Sequence, residues 1–195
     1  KCGMVTLHMG SDDAALSKVR AALEQTAIPI KIFHPTHITR SPKLLQESFD
    51  FANDGGYIDM TCGSGGEGKP SKCIMKAKEQ GVDLKRITLS SDGMGSWSNY
   101  DKEGNLIKIG YSAVDHEICS LVKEEGMDLS EALTFATSNT AHSLELFPRK
   151  GCVRVGADAD LLLMQDDLSL DMVMAQGQMM MQDGVLLKKG TYEKD

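Results

Sequence analysis

Three side chains that could share one chemical task, His8, His37 and Asp92, each stand where a short apolar run stops. Met4-Val5-Thr6-Leu7 leads into His8, and Ile30-Lys31-Ile32-Phe33 leads into the loop that carries His37. Ile87-Thr88-Leu89-Ser90-Ser91 delivers Asp92 into a loop punctuated by Gly93 and Gly95. Buried parallel strands that end in a polar side chain read this way. Two imidazoles and a carboxylate suit zinc or a similar divalent ion. A lone strand-end histidine is more often a hydrogen-bonded structural residue. Three such residues at equivalent positions of successive units shift the balance toward a common centre, and spacing alone leaves both readings open.

Arg40 follows His37 by three residues and precedes a helix start, a poor place for a cation given the helix dipole. That misfit beside a candidate metal centre favours a bidentate fork for a substrate carboxylate. Ser96, four residues past Asp92, could reach the same substrate or could be loop filler. Gly63-Ser64-Gly65-Gly66-Glu67-Gly68-Lys69 nearly spells a phosphate-binding loop. It fails where Pro70 replaces the hydroxyl residue that binds magnesium, so a mobile active-site loop is the expectation. His34 competes with His37 as a ligand but precedes Pro35, on or near the strand. His116 and His142 fall within helical stretches and read as ordinary. There is no Gly-x-Ser-x-Gly elbow and no His-Glu-x-x-His.

The elements that must position these residues follow from periodicity. Strands are expected at residues 4–7, 30–33, 57–61 and 87–91, with ends near 8, 37, 61 and 91 once the loop carrying His37 is counted. Between them lie helical patterns: Leu16, Val19, Ala22 and Leu23, capped by Ser11 or Asp12; then Leu44, Leu45, Phe49 and Ala52, started by Ser41-Pro42; then residues 71–80. Each unit is a βα crossover, which makes the strands parallel. Beyond a polar loop over 97–110, helices are expected at 112–125 and 129–146, the second opened by an Asp128/Glu131 capping box.

The fold class is α/β: about four βα units, forming half of a TIM-type (β/α)8 barrel or a small doubly wound sheet. The barrel is favoured because the unusual polar residues lie past strand C-termini, where barrel active sites are built. The texture changes near Lys150. Residues 151–156 and 159–164, and the strands flanking Gln176-Gly177 and Asp183-Gly184, read as a small antiparallel β unit. The expected division is 1–148 for the half barrel and 149–195 for the C-terminal strands of a small β-sandwich domain. The methionines there read as strand packing, since no His or Cys partners accompany them as a copper site requires.

The 195 residues are 41% hydrophobic and 25% charged, with a net charge of −7. An acidic chain of this kind argues against a nucleic-acid partner or an anionic membrane surface. No apolar run reaches the roughly 20 residues that span a bilayer. Five scattered cysteines without a Cys-x-x-Cys suit a reducing, cytoplasmic setting. The absence of an initiator methionine leads to the expectation that the chain is a fragment.

Val5-Thr6-Leu7-His8-Met9-Gly10, Pro35-Thr36-His37-Ile38-Thr39-Arg40 and Thr88-Leu89-Ser90-Ser91-Asp92-Gly93-Met94-Gly95-Ser96 resemble the isoaspartyl dipeptidases (β-aspartyl peptidases) of the amidohydrolase superfamily of metal-dependent hydrolases. The stretch from Lys150-Gly151 through Asp160-Leu161 resembles that superfamily's return from barrel to small β domain. The resemblance implies that the chain is the C-terminal half. It further implies that His8 and His37 bind one ion of a binuclear zinc centre, while Asp92 binds the other and acts as general base. Arg40 and Ser96 would hold the polar groups of an isoaspartyl dipeptide, whose β-linked amide is attacked by a metal-bridging hydroxide. A homo-oligomer is implied as well, and a need for the N-terminal half, which would carry a His-x-His pair and a bridging lysine. The glycine-rich loop over residues 62–68 departs from the family pattern. The rival expectations are another amidohydrolase, dihydroorotase-like or acting on N-acyl-amino acids, a non-catalytic scaffold of the same fold, and a phosphate-binding module.

Overall fold

A computed structural model describes residues 3–63, 66–93, 99–100, 102–103, 106–108 and 113–189. Strand β1 (Val5–His8) leads through helix α1 (Ser17–Gln25) to β2 (Phe33–Thr36), and the two strands pair in parallel with His8 level with Thr36. Helix α2 (Pro42–Asn53) leads to β3 (Ile58–Thr61), and α3 (Pro70–Glu79) leads to β4 (Ile87–Ser90). The last two strands are also parallel, with Thr61 level with Ser90. Strand β2 lies against β3 without a backbone ladder between them. Side chains join the two instead: Thr36 Oγ1 donates to Asp59 at 2.5 Å, and His37 Nδ1 lies 2.6 Å from Thr61 Oγ1. The bonds join the end of β2 to the middle and the end of β3, and the parallel pairs set the strand ends on one side.

The core lies between the strands and helices α2 and α3. Leu44, Phe49, Phe51, Ile58, Met60, Ile74 and Ile87 are all at or near zero exposure. α2 is well started because Ser41 accepts from the Leu44 N–H and proline occupies the first turn, where its missing N–H costs nothing. Helix α3 has Lys69 at its cap position, with no side-chain cap of its own. Glu117, buried on α4 (Ala113–Lys123), fills that role by accepting from the Ser71 N–H at 2.6 Å.

Several boundaries differ from expectation. Ile30–Ile32 form a 3-10 turn rather than a strand, so β2 starts three residues later and takes in His34 and Pro35. The apolar residues 30–32 are thus the strand's approach, and Phe33-His34-Pro35-Thr36 form the strand itself. The polar loop over 97–110 contains a short antiparallel ribbon, β5 (Asn99–Tyr100) with β6 (Leu106–Lys108). The helix expected over 129–146 is two, α5 (Leu129–Thr134) and α6 (Ser138–Ser143). They are separated where Thr137 leaves helical geometry and the Phe135 carbonyl is drawn away to accept from the Leu89 N–H. Asp128 caps α5 alone: it accepts from Ser130 and Glu131 N–H groups, while the Glu131 carboxylate pairs with Lys78 instead of closing the box.

The chain then turns at Gly151, whose added Cβ would stand 2.5 Å from Ala141 Cβ and 2.8 Å from the Thr137 carbonyl. Only glycine permits this approach, the more so at φ 79°. The strand expected over 151–156 does not form. Strands β7 (Leu161–Met164), β8 (Leu170–Ala175), β9 (Gln178–Gln182) and β10 (Val185–Leu186) make one antiparallel sheet in the order β10-β9-β8-β7. Gln176-Gly177 and Asp183-Gly184 supply its tight turns with positive φ at both central residues. Its methionines pair across strands, Val173 with Met181 and Met174 with Met179, as strand packing requires.

Candidate functional site

The C-terminal ends of β1 to β4 surround a cavity of about 280 Å3, lined among others by His8, His34, His37, Asp59, Ser90 and Asp92. His8 is the exposed last residue of β1, and His37, 5% exposed, follows β2. Parallel pairing brings them together: His8 Nδ1 lies 3.0 Å from His37 Nε2, with ring centroids 5.1 Å apart. Asp92 stands two residues past β4 on the wall of the same cavity. Its Oδ2 is buried and has no hydrogen-bond partner among the described residues. A buried carboxylate oxygen without a partner carries a desolvation cost that a cation or donor group would relieve.

His37 and Asp92 share an unusual backbone, φ 62° and 48°. Few residues adopt the left-handed region, and its use at both candidate positions is the kind of local strain that clusters at functional sites. Burial first, then the Arg40 guanidinium, holds the His37 imidazole below its usual pKa, with Asp92 working the other way. A neutral ring is the form that ligates a metal.

Arg40 closes the 3-10 turn Ile38–Arg40 that follows His37 and is exposed. Its Nη1 donates to the Met9 carbonyl at 2.5 Å, which ties it to the loop just past His8. The guanidinium is thereby fixed beside the histidine pair. Ser96 lies outside the described residues.

The donor set fits a divalent ion. Two imidazole nitrogens bound to one tetrahedral zinc stand about 3.3 Å apart, given Zn–N near 2.0–2.1 Å, and the observed separation is 3.0 Å. Thr61 holds the far nitrogen of His37, as outer partners of metal-bound histidines do. Among the described residues, no group of three or more His, Cys, Asp or Glu side chains is gathered as a ligand cluster. The structure therefore brings His8 and His37 together and sets Asp92 on the same cavity wall without joining it to the pair.

His34 does not share their position. It lies within β2, 8% exposed, between Thr88 Oγ1 at 3.1 Å and Ser143 Oγ at 3.2 Å. Burial lowers its pKa. The N-terminus of α3, where a phosphate would bind, is occupied by the Glu117 carboxylate, and Lys69 pairs with Glu124. An anion is thus disfavoured there, against the phosphate-binding rival.

The residue that sequence reading missed is Asp59. It sits in the middle of β3, 4% exposed, and accepts from three hydroxyls: Thr36 at 2.5 Å, Ser90 at 2.7 Å and Thr88 at 2.8 Å. A signal existed, since an aspartate between Ile58 and Met60 in a buried strand needs partners.

The sequence pattern of the Amidohydrolase family matches residues 67–180. The chain belongs to that family. Among solved structures it is similar to the β-aspartyl dipeptidase of Fervidobacterium islandicum AW-1 in complex with a β-Asp-Leu dipeptide, at 35% identity and TM-score 0.82, over 98% of this chain and 51% of that one. A second structure of the β-aspartyl dipeptidase from that organism matches at 34% identity and TM-score 0.84, over 98% and 49%. The N-acetylglucosamine-6-phosphate deacetylase of Thermotoga maritima, at 16% identity and TM-score 0.61 over 90% and 52%, shares the fold. The chain spans about half the length of these solved relatives. Their fold, with the parallel βα units described above, marks it as part of a TIM-barrel-type protein. Among the described residues no helix is long and apolar enough to cross a membrane.

Proposed function

We propose that the chain is the C-terminal half of a (β/α)8 amidohydrolase barrel, residues 1–148, followed by part of a small β domain, residues 149–195. The intact protein hydrolyses the β-linked amide of isoaspartyl dipeptides. The observation that carries this reading is the His8–His37 pair on the same cavity wall as Asp92, whose buried Oδ2 lacks a partner among the described residues. The 35% identity to a β-aspartyl dipeptidase that holds β-Asp-Leu supports the choice of substrate.

His8 and His37 hold one ion and Asp92 the other, with zinc as the expected metal. Ions bound there supply Lewis-acid polarisation of the amide carbonyl and of the attacking water. Asp92 takes a proton from that water at a carboxylate oxygen and returns it to the leaving amine nitrogen. Arg40, anchored by Met9, presents its remaining N–H groups to a substrate carboxylate. Ser96 adds a hydroxyl to the same substrate. The reading also assigns the protein to the cytoplasm as a homo-oligomer.

Metal analysis and peptide hydrolysis on the full-length protein test this. The expected result is bound zinc and release of leucine from β-Asp-Leu. Zinc with cleavage of N-acyl-amino acids but not β-Asp-Leu would move the assignment to another amidohydrolase. Near-zero zinc and no hydrolysis would make the protein a scaffold. These 195 residues alone are expected to be inactive.

A further inference from the structure

Asp59 has no part in the reaction above, yet it is the most heavily hydrogen-bonded buried carboxylate in the described structure, and it stands beneath the cavity. A carboxylate can only accept, so each hydroxyl that reaches it has its proton committed. Thr36 Oγ1 donates to Asp59 Oδ2 and is left with acceptor capacity alone. Thr61 Oγ1, 3.5 Å from Thr36 Oγ1, can then donate to it, and so receives from its other neighbour, His37 Nδ1 at 2.6 Å. That ordering puts the proton of His37 on Nδ1 and leaves the lone pair on Nε2, the nitrogen that faces His8.

The same carboxylate acts in the opposite sense on a second ring. Thr88 Oγ1 donates to Asp59 Oδ1 at 2.8 Å, which is shorter than its 3.4 Å approach to the Ile58 carbonyl. It therefore accepts from His34, whose Nε2 lies 3.1 Å away. His34 Nδ1 then accepts from the Ser143 hydroxyl at 3.2 Å, against the competing Met4 sulfur at 3.0 Å, which could only accept from it.

We propose that Asp59 is a positioning residue that, through Thr36–Thr61 and through Thr88, fixes the tautomers of His37 and His34 in opposite senses. Its consequence for catalysis rests on the reading of His37 as a metal ligand: Asp59 keeps the ligating nitrogen of His37 unprotonated and turned toward His8. The carboxylate also spans the seam between β2 and β3, where no backbone ladder runs. One group thus orders the histidine end of β2 and, through Ser90, the strand that carries Asp92. The 3.5 Å contact is the longest step in the relay, and the Thr36 variants address it.

The test uses the full-length protein, metal-free, at pH 8, with nitrogen-15 in its histidines. Long-range proton–nitrogen spectra report which ring nitrogen carries the proton. The expected wild-type result is Nδ1–H for His37 and Nε2–H for His34. Thr36→Val should shift His37 to a mixture of tautomers and leave His34 unchanged, and Thr88→Val should do the reverse. Thr36→Ser, which keeps the hydroxyl, should restore the wild-type spectrum. An Nε2–H tautomer for His37 in the wild type, or spectra unmoved by Thr36→Val, overturns the proposal.

In the metal-loaded protein, Thr36→Val should weaken zinc affinity about 10- to 100-fold, the usual cost of losing an outer partner. It should lower kcat on β-Asp-Leu with KM within twofold. If the wild type neither binds zinc nor cleaves β-Asp-Leu, the proposed function fails, while the spectra still decide the tautomers.

Discussion

His8 Nδ1 and His37 Nε2 stand 3.0 Å apart, brought together by a parallel pairing that sets His8 level with the residue before His37. Neither ring reaches across by a long loop, so the pair is as rigid as the two strands. His37→Asn keeps a side chain that tolerates a positive φ and removes the ligating ring. The full-length variant should fold and bind less zinc than the wild type, as judged by metal analysis after dialysis. Retention of the full wild-type zinc content would remove His37 from the ligand set.

Asp92→Asn is the sharpest test of the proton shuttle. Asparagine suits φ 48° and preserves the volume, so the melting temperature should stay within a few degrees. Loss of a general base costs about 10²- to 10⁴-fold in rate, and kcat on β-Asp-Leu should fall by that much. A smaller loss would assign the proton transfer elsewhere.

Arg40→Met separates the rival substrates. Charge-assisted hydrogen bonds contribute about 1.5–3 kcal/mol, so KM for a substrate with a free carboxylate should rise about 10- to 100-fold. The same change should leave a carboxyl-amidated analogue nearly unaffected. Equal effects on both would return Arg40 to a structural role through its bond to Met9.

Stability should depend on pH through His34 and His37. Burial lowers both pKa values in the folded state, so the unfolded chain binds more protons over the interval below pH 6.5. Stability is complete above about pH 6.5, the unfolded value, and is lost as pH falls toward the folded values. The slope is at most about 1.4 kcal/mol per pH unit for each group. Urea midpoints of the metal-free protein should fall between pH 7 and pH 5. In His34→Gln the fall should be shallower, and an unchanged profile would exclude His34 as a contributor.

Much of this site is visible in the chain itself because strand-end chemistry is local. An apolar run that stops at His8 or at Asp92 reveals the residue, and Ser41-Pro42 reveals the helix start that follows Arg40. What escaped depends on contacts distant in sequence. The α5–α6 break follows from a carbonyl drawn to Leu89, some 45 residues earlier. Helix α3 takes its cap from Glu117 rather than from a neighbour. Strand β2 looked as though it lay on the apolar residues 30–33, whereas His34 and Thr36 are buried in the strand because Asp59, Thr88 and Ser143 supply their polar partners. Asp59 escaped for the same reason: its three hydroxyl donors sit on two other strands.

The left-handed backbone at His37 and Asp92 narrows what mutation can do at these positions. Histidine, aspartate and asparagine are the non-glycine residues that enter that conformation most readily. Two of those three are also good metal ligands, and the third is not. A single step to asparagine can therefore switch the chemistry off while the loop keeps its shape. Relatives of this protein that have lost activity should carry asparagine or glycine there more often than alanine or a β-branched residue, so the geometry of the site can outlast its function.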